Sequence, residues 1–194
     1  MSAVTWGPAM AQASLVIVPG LGDSGPAHWQ TLWQEAHPRA VRTAPTSWDS
    51  PEVDDWIAAV EAAVVAGEAS GGEPVLLVAH SLGTYAAAWW LAAHPGRVHG
   101  ALLVAPPDPG RPDAPAAIRA FHRDAMPRVD VPAIAVASTD DPYGSVDHAR
   151  WYADQVGAAL VVAGAYGHLN DRSGLVTWSA GRALLEELAA PAAD

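Results

Sequence analysis

Six short apolar runs recur along the chain, with helix-length segments between them. They are Leu15–Val18, Val41–Ala44, Val75–Ala79, Val98–Val104, Ala133–Ala137 and Leu160–Ala163. The runs are continuous, with no polar residue at every second position, which is the pattern of strands covered on both faces. The intervening segments carry helix signals. Ser50-Pro51-Glu52 predicts an N-cap, a proline at the first helical position and an acid at the positive end of the dipole; Trp56, Val60 and Val64 then recur every four residues. Leu82–Ala93 is apolar almost all round and predicts a buried helix. Ser145–Val156 and Leu175–Ala189 complete the set. Repeated β–α units imply an α/β fold: a doubly wound, mainly parallel six-stranded sheet with helices on both faces.

At 194 residues the chain has the length of one domain. The expected domain is 14–190, with loose tails at 1–13 and 191–194. Ala105–Asp130, rich in proline, reads either as a crossover connection or as a small lid over a pocket, and 116–125 within it as a short helix.

Composition removes several kinds of chemistry. There is no cysteine, which excludes disulfides, thiol nucleophiles and thiolate metal sites. All ten basic residues are arginine, so no lysine is present for a Schiff base or a phosphate-binding Walker loop. The net charge of −11, with the arginines scattered, predicts a surface that repels nucleic acid and anionic membranes. The longest apolar run, Tyr85 to Ala93, is too short to span a bilayer. With no signal-peptide pattern at the start, the expected location is cytoplasmic. No metal-binding spacing such as H-E-x-x-H occurs, and neither metal nor cofactor is expected.

The chemistry concentrates at Ala79-His80-Ser81-Leu82-Gly83, directly after one strand and before the buried helix. This is the nucleophile-elbow pattern G-x-S-x-G with alanine in its first position. An elbow holds its serine in a strained turn, so the residues two positions away on either side must be small. The turn lifts the Ser81 hydroxyl out of the sheet and aims a helix N-terminus at it. The Leu82 N–H then becomes a candidate oxyanion donor. The alternative is an ordinary helix N-cap serine.

A serine nucleophile needs a base and a group to orient that base. With this elbow they follow in the order serine, acid, histidine, each after a later strand. Ser138-Thr139-Asp140-Asp141-Pro142-Tyr143 follows the fifth run, and Gly167-His168-Leu169-Asn170 follows the sixth. A parallel sheet brings these loops to one edge. Asp141 is chosen over Asp140 because the acid just before the proline is the usual position in such hydrolases. His80, adjacent to Ser81, cannot curl back as the base and is expected to pack behind the site. His28 is expected to line the pocket. His37, His94, His99, His122 and His148 read as surface or helix-end residues.

Gly20-Leu21-Gly22-Asp23-Ser24-Gly25 is literally G-x-G-x-x-G, the dinucleotide fingerprint. However, the acid that should hold a ribose is absent from Thr43-Ala44-Pro45-Thr46, and Pro26 stands where the helix should pack closely. The competing reading places Gly20 and Gly22 beside Ser81, with the Leu21 N–H as the second oxyanion donor.

These blocks resemble the small α/β-hydrolase family of YdeN-type proteins and retinoblastoma-binding protein nine. The resemblance rests on Pro19-Gly20-Leu21-Gly22 with Pro26-Ala27-His28-Trp29-Gln30, on Ala79–Gly83, on Ser138–Tyr143, and on Gly167–Asn170 followed by Ser173-Gly174 and Trp178. It implies a minimal fold without a large cap and a serine hydrolase with a triad of Ser81, Asp141 and His168. The expected substrate is a small carboxylic ester or related acyl compound, bound near Gly20, Gly22, His28, Trp29 and Tyr143. A hydrolase-like binding protein with a protein partner is the alternative. Of the nine tryptophans, Trp29, Trp33, Trp89 and Trp90 lie near the elbow in sequence. They are expected either to line an acyl pocket or, for at least half of them, to fill volume in an alanine-rich core.

Overall fold

A computed structural model describes residues 4–190 of the chain. Six strands, β1 (Ser14–Val18), β2 (Ala40–Arg42), β3 (Val75–His80), β4 (Gly100–Val104), β5 (Ala133–Ala137) and β6 (Ala159–Val162), form one sheet in the order β2-β1-β3-β4-β5-β6. Every pairing is parallel. The helices are α1 (Pro8–Gln12), α2 (Trp29–Ala36), α3 (Val53–Ala69), α4 (Gly83–Ala93), α5 (Val146–Val156) and α6 (Ser179–Ala189).

The continuous apolar runs are explained by two cores, one on each face. Along β1, Val16 and Val18 face a core built with Trp56, Val60 and Val64 of α3, Tyr85 and Trp90 of α4, and Tyr152 of α5. Leu15 and Ile17 face the opposite core, with Trp29 and Trp33 of α2 and Leu185 of α6. Successive side chains of a strand point to opposite faces, so a strand buried on both must be apolar throughout. The outermost β6 is only partly covered.

Three local expectations are corrected. Within the supposed loose tail, Pro8–Gln12 forms α1, whose Met10 is buried on the α6 side of the sheet. The other tail, 191–194, lies outside the described residues. Helix α3 begins at Val53, not at a Ser50 cap; Ser47 accepts the Ser50 N–H, and Asp55 reaches back to Thr46. Local side-chain bonds of this kind hold the preceding turn and delay the helix. Strand β2 occupies Ala40–Arg42, earlier and shorter than 41–44; it pairs with Leu15–Ile17 of β1, and the Thr43 N–H still donates to the Ile17 carbonyl.

Residues 105–130 form a packed crossover. Their one helical element is a 3₁₀ turn at Ala116–Phe121, shorter than the expected 116–125. Phe121 is fully buried against Trp56 and Trp89, with ring centroids 5.7 Å apart in both pairs. Nothing in this segment lines the clefts beside Ser81, so the lid reading is set aside. No described helix is long and apolar enough to cross a membrane.

Candidate active site

The sheet order reverses between β1 and β3, and loops after these strands diverge there to leave a crevice at the carboxyl edge. Ser81 sits in that crevice with φ +53°. A non-glycine residue in this region costs about 1–3 kcal/mol, and such strain persists only where the surroundings impose it. They do so here by close packing. A Cβ added at Gly83 would run into the Pro19 carbonyl, and one added at Gly20 would lie 2.7 Å from the Ser81 Cβ. Ala79 is fully buried in the first elbow position.

Two later loops complete a line of hydrogen bonds. His168 Nε2 lies 2.8 Å from Ser81 Oγ, and His168 Nδ1 lies 2.9 and 2.8 Å from the two oxygens of Asp141. The side chains of His168 and Asp141 are 9% and 3% exposed, so the ion pair that forms when His168 is protonated is shielded from screening water. A carboxylate only accepts, so Nδ1 carries the proton and Nε2 is left free to accept from Ser81. Asp140, beside it, does something else. Its Oδ1 accepts from Ser138 Oγ at 2.8 Å and from the Gly167 N–H at 2.7 Å, and these bonds hold its carboxyl below the usual range. It ties the acid loop to the histidine loop.

The rest of the site is built behind these groups. The His80 ring nitrogen Nε2 donates to the His168 carbonyl at 2.9 Å, and Trp29 Nε1 donates to the Leu169 carbonyl at 2.7 Å. His80 is therefore a support with a defined partner, more than the packing expected of it. Trp29 is 1% exposed, sits among Trp33 and Trp178, and lines neither cleft. Its expected place in the substrate pocket is corrected: the wide indole faces are better buried, and only the N–H reaches the site. Trp33 and Trp90 are likewise buried, as volume fillers. Buried Gln30 carries no signal in the sequence beyond its block; its amide donates to the carbonyls of Val18, at the end of β1, and Val78, within β3.

Ser81 opens on a cleft of about 350 Å³, walled by Gly20, Leu21, Gly22, Asp23, Gly25 and His28 on one side and Tyr143, His168, Asn170, Asp171 and Arg172 on the other. The Leu21 and Leu82 N–H groups donate to no protein acceptor among the described residues. His28 Nδ1 caps α2 by accepting the Gln30 N–H at 3.1 Å, and burial lowers its pKa to about 4. His80 is also pushed well down, by burial first and then by His168 and His28. His37, read as a surface or helix-end residue, ends α2 but is buried, donating to the Met10 carbonyl. The dinucleotide reading finds no ribose acid: β2 ends on Arg42, which pairs with Asp23 of the glycine loop at 2.6 Å. No cluster of candidate metal ligands occurs among the described residues.

A six-stranded parallel sheet with a strained serine at its switch point, and with a histidine and an acid delivered from later strand ends, defines the α/β-hydrolase class. A family model described as serine hydrolase matches residues 15–187, and the chain belongs to that family. Within it, this is a small hydrolase of the YdeN type without a large cap. A protein from Pectobacterium atrosepticum described as a YdeN-like hydrolase is 31% identical, with 93% of this chain and 92% of that one aligned at a TM-score of 0.76. The ydeN gene product of B. subtilis is 19% identical over 91% and 98%, with a TM-score of 0.75. Est1E from Butyrivibrio proteoclasticus, 15% identical over 94% and 90% with a TM-score of 0.68, shares the fold. A search of curated protein sequences gives no match.

Proposed function

We propose that the protein cleaves carboxylic esters or related small acyl compounds through an acyl-enzyme on Ser81. The observation that carries this reading is the pair of 2.8 Å contacts, Ser81 Oγ to His168 Nε2 and His168 Nδ1 to Asp141. Ser81 Oγ attacks the substrate carbonyl while His168 Nε2 takes its proton. Asp141 fixes the ring tautomer and stabilises the imidazolium. The carbonyl oxygen, now negative, accepts from the Leu21 and Leu82 N–H groups, which have no protein acceptor to give up. As the tetrahedral adduct collapses, the C–O bond to the alcohol breaks and His168 returns the proton to the departing oxygen. Water, activated by the same histidine, then releases the acid.

The open clefts, which no described segment covers, favour small or accessible substrates. The test is turnover of short-chain 4-nitrophenyl esters by wild-type and Ser81→Ala protein. The variant is expected to keep its fold by circular dichroism and to lose about 10⁴-fold or more in kcat. Unchanged turnover in a folded Ser81→Ala protein would rule the mechanism out.

A further inference from the structure

A second cleft, of about 430 Å³, lies on the far side of His168 from the glycine loop. It is lined by His168 and Tyr143, which it shares with the first cleft, and by Tyr166 and Gly167, which it does not; Ser81 opens only on the first. Its size falls in the range of about 300–1,000 Å³ common to small-molecule sites.

Two features of the tyrosines stand out. Tyr143 and Tyr166 are each 44% exposed, while Tyr85 and Tyr152 are fully buried. The buried pair have bonded hydroxyls, Tyr85 to the Pro107 carbonyl and Tyr152 to the Thr84 carbonyl. The hydroxyls of Tyr143 and Tyr166 bond to no protein atom among the described residues; only their backbone is held. The Tyr166 N–H donates to Ser138 Oγ, and its carbonyl accepts from Ser173. The Tyr143 ring meets His168 edge-on, with centroids 4.7 Å apart. The fold thus leaves two aromatic rings half exposed at this cleft, with their hydroxyls free.

The reaction gives the cleft a direction. On the proposed mechanism the oxyanion lies toward Leu21 and Leu82, on the glycine-loop side. The departing oxygen must lie within reach of His168 Nε2, which protonates it. The alcohol part of the substrate therefore projects past His168, toward the second cleft. Asp140 and Arg172 both line this cleft, one charge of each sign, so the lining has no net charge to draw an ionised ring and suits a neutral one.

We infer that the second cleft is a subsite for the alcohol half of the ester and that it selects a neutral aromatic alcohol, received between Tyr143 and Tyr166. The inference rests on the acyl-transfer reading of Ser81. In that step the Oγ–C bond forms, the C–O bond to the aryl oxygen breaks, and the Ser81 proton leaves on the phenol by way of His168.

Two isomers test it: 2-naphthyl acetate carries the ring on the alcohol side, and methyl 2-naphthoate carries it on the acyl side. Tyr166→Ala is expected to raise KM for 2-naphthyl acetate about three- to tenfold, the scale of one aromatic contact, with little change in kcat. KM for methyl 2-naphthoate should not move, and Tyr166→Phe should behave as wild type. A rise confined to the naphthoate, an equal rise for both esters, or no change in either would overturn the assignment. Binding of 2-naphthol to Ser81→Ala protein, read by naphthol fluorescence, gives a readout without turnover. Saturable binding weakened by Tyr166→Ala supports the subsite even if neither ester is hydrolysed, which would instead count against the acyl-transfer reading. Naphthol binding that is absent, or indifferent to Tyr166, overturns the subsite.

Discussion

His80 and His168 are joined by one hydrogen bond, from the His80 ring N–H to the His168 carbonyl at 2.9 Å, with their rings 4.9 Å apart. The residue before Ser81 thus holds the backbone of the residue proposed to deprotonate it. The next carbonyl, that of Leu169, is held by Trp29, and Leu169 itself has φ +49°. Removing the His80 donor frees a strained corner on which His168 is mounted. His80→Ala is expected to lower kcat by about 10², the scale of a misplacement near 1 Å, with KM little changed. His80→Gln, whose amide reaches a similar position, should recover much of the loss. A variant pair with equal kcat would contradict this role.

The two neighbouring acids should separate cleanly. Asp141→Asn removes the acceptor that fixes the His168 tautomer, and a loss of about 10³–10⁴ in kcat is expected. Asp140→Asn keeps one oxygen for the Ser138 and Gly167 donors, so the loss should stay under about tenfold. Comparing kcat for the two variants checks this; similar losses would move the orienting role away from Asp141.

Gly20 tests the close approach of the first loop. Its Cβ would lie 2.7 Å from the Ser81 Cβ and 3.1 Å from Oγ. Gly20→Ala is therefore expected to displace the nucleophile and lower kcat by at least about 10². Helix content should be retained, since the close contacts, to the Ser81 side chain and the His80 carbonyl, are confined to the carboxyl edge of the sheet. Wild-type kcat in this variant would show that the loop is not packed on Ser81.

The buried histidines predict how stability depends on pH. His28 has a folded pKa of about 4 against 6.5 for the free residue. Between those values the unfolded chain binds a proton that the native chain refuses, so stability falls as pH drops through 6.5 and levels off below 4. The full difference is about 3 kcal/mol, of which about 2 is lost by pH 5. His80 and His37 act in the same direction. Urea unfolding at pH 7 and pH 5, at constant ionic strength, should show the drop. His28→Asn keeps an N-cap acceptor for α2 but does not titrate, and should lose about 2 kcal/mol less over that interval. An equal drop in the variant would contradict the assignment.

Much of this was legible in the chain because it is carried by local pattern. The apolar runs are continuous since β1, β3, β4 and β5 are buried on both faces. The elbow is legible because Ala79 and Gly83 are the small residues a strained serine turn requires. Asp141 and His168 follow strand ends, and a parallel sheet brings strand ends together. What stayed hidden depends on distant partners. The bonds of His80 and Trp29 to the histidine loop span |i−j| of 88 and 140 residues, and no spacing in the chain announces them. The delayed start of α3 reflects Ser47 and Asp55 competing for backbone, which the Ser50-Pro51 signal does not include. Met10 is anchored by packing against α6 and by the His37 bond to its carbonyl, both from distant parts of the chain, so nothing local marks α1.

Covalent labelling addresses the central claim most directly. Wild-type protein treated with a fluorophosphonate should carry the probe on Ser81, mapped by mass spectrometry of the digested chain. Ser81→Ala should take up none, and His168→Ala should react at least about 10²-fold more slowly, having lost the base. Labelling of wild-type protein on Ser24 or Ser138, or a rate unchanged in His168→Ala, would contradict a nucleophile at Ser81 activated by His168.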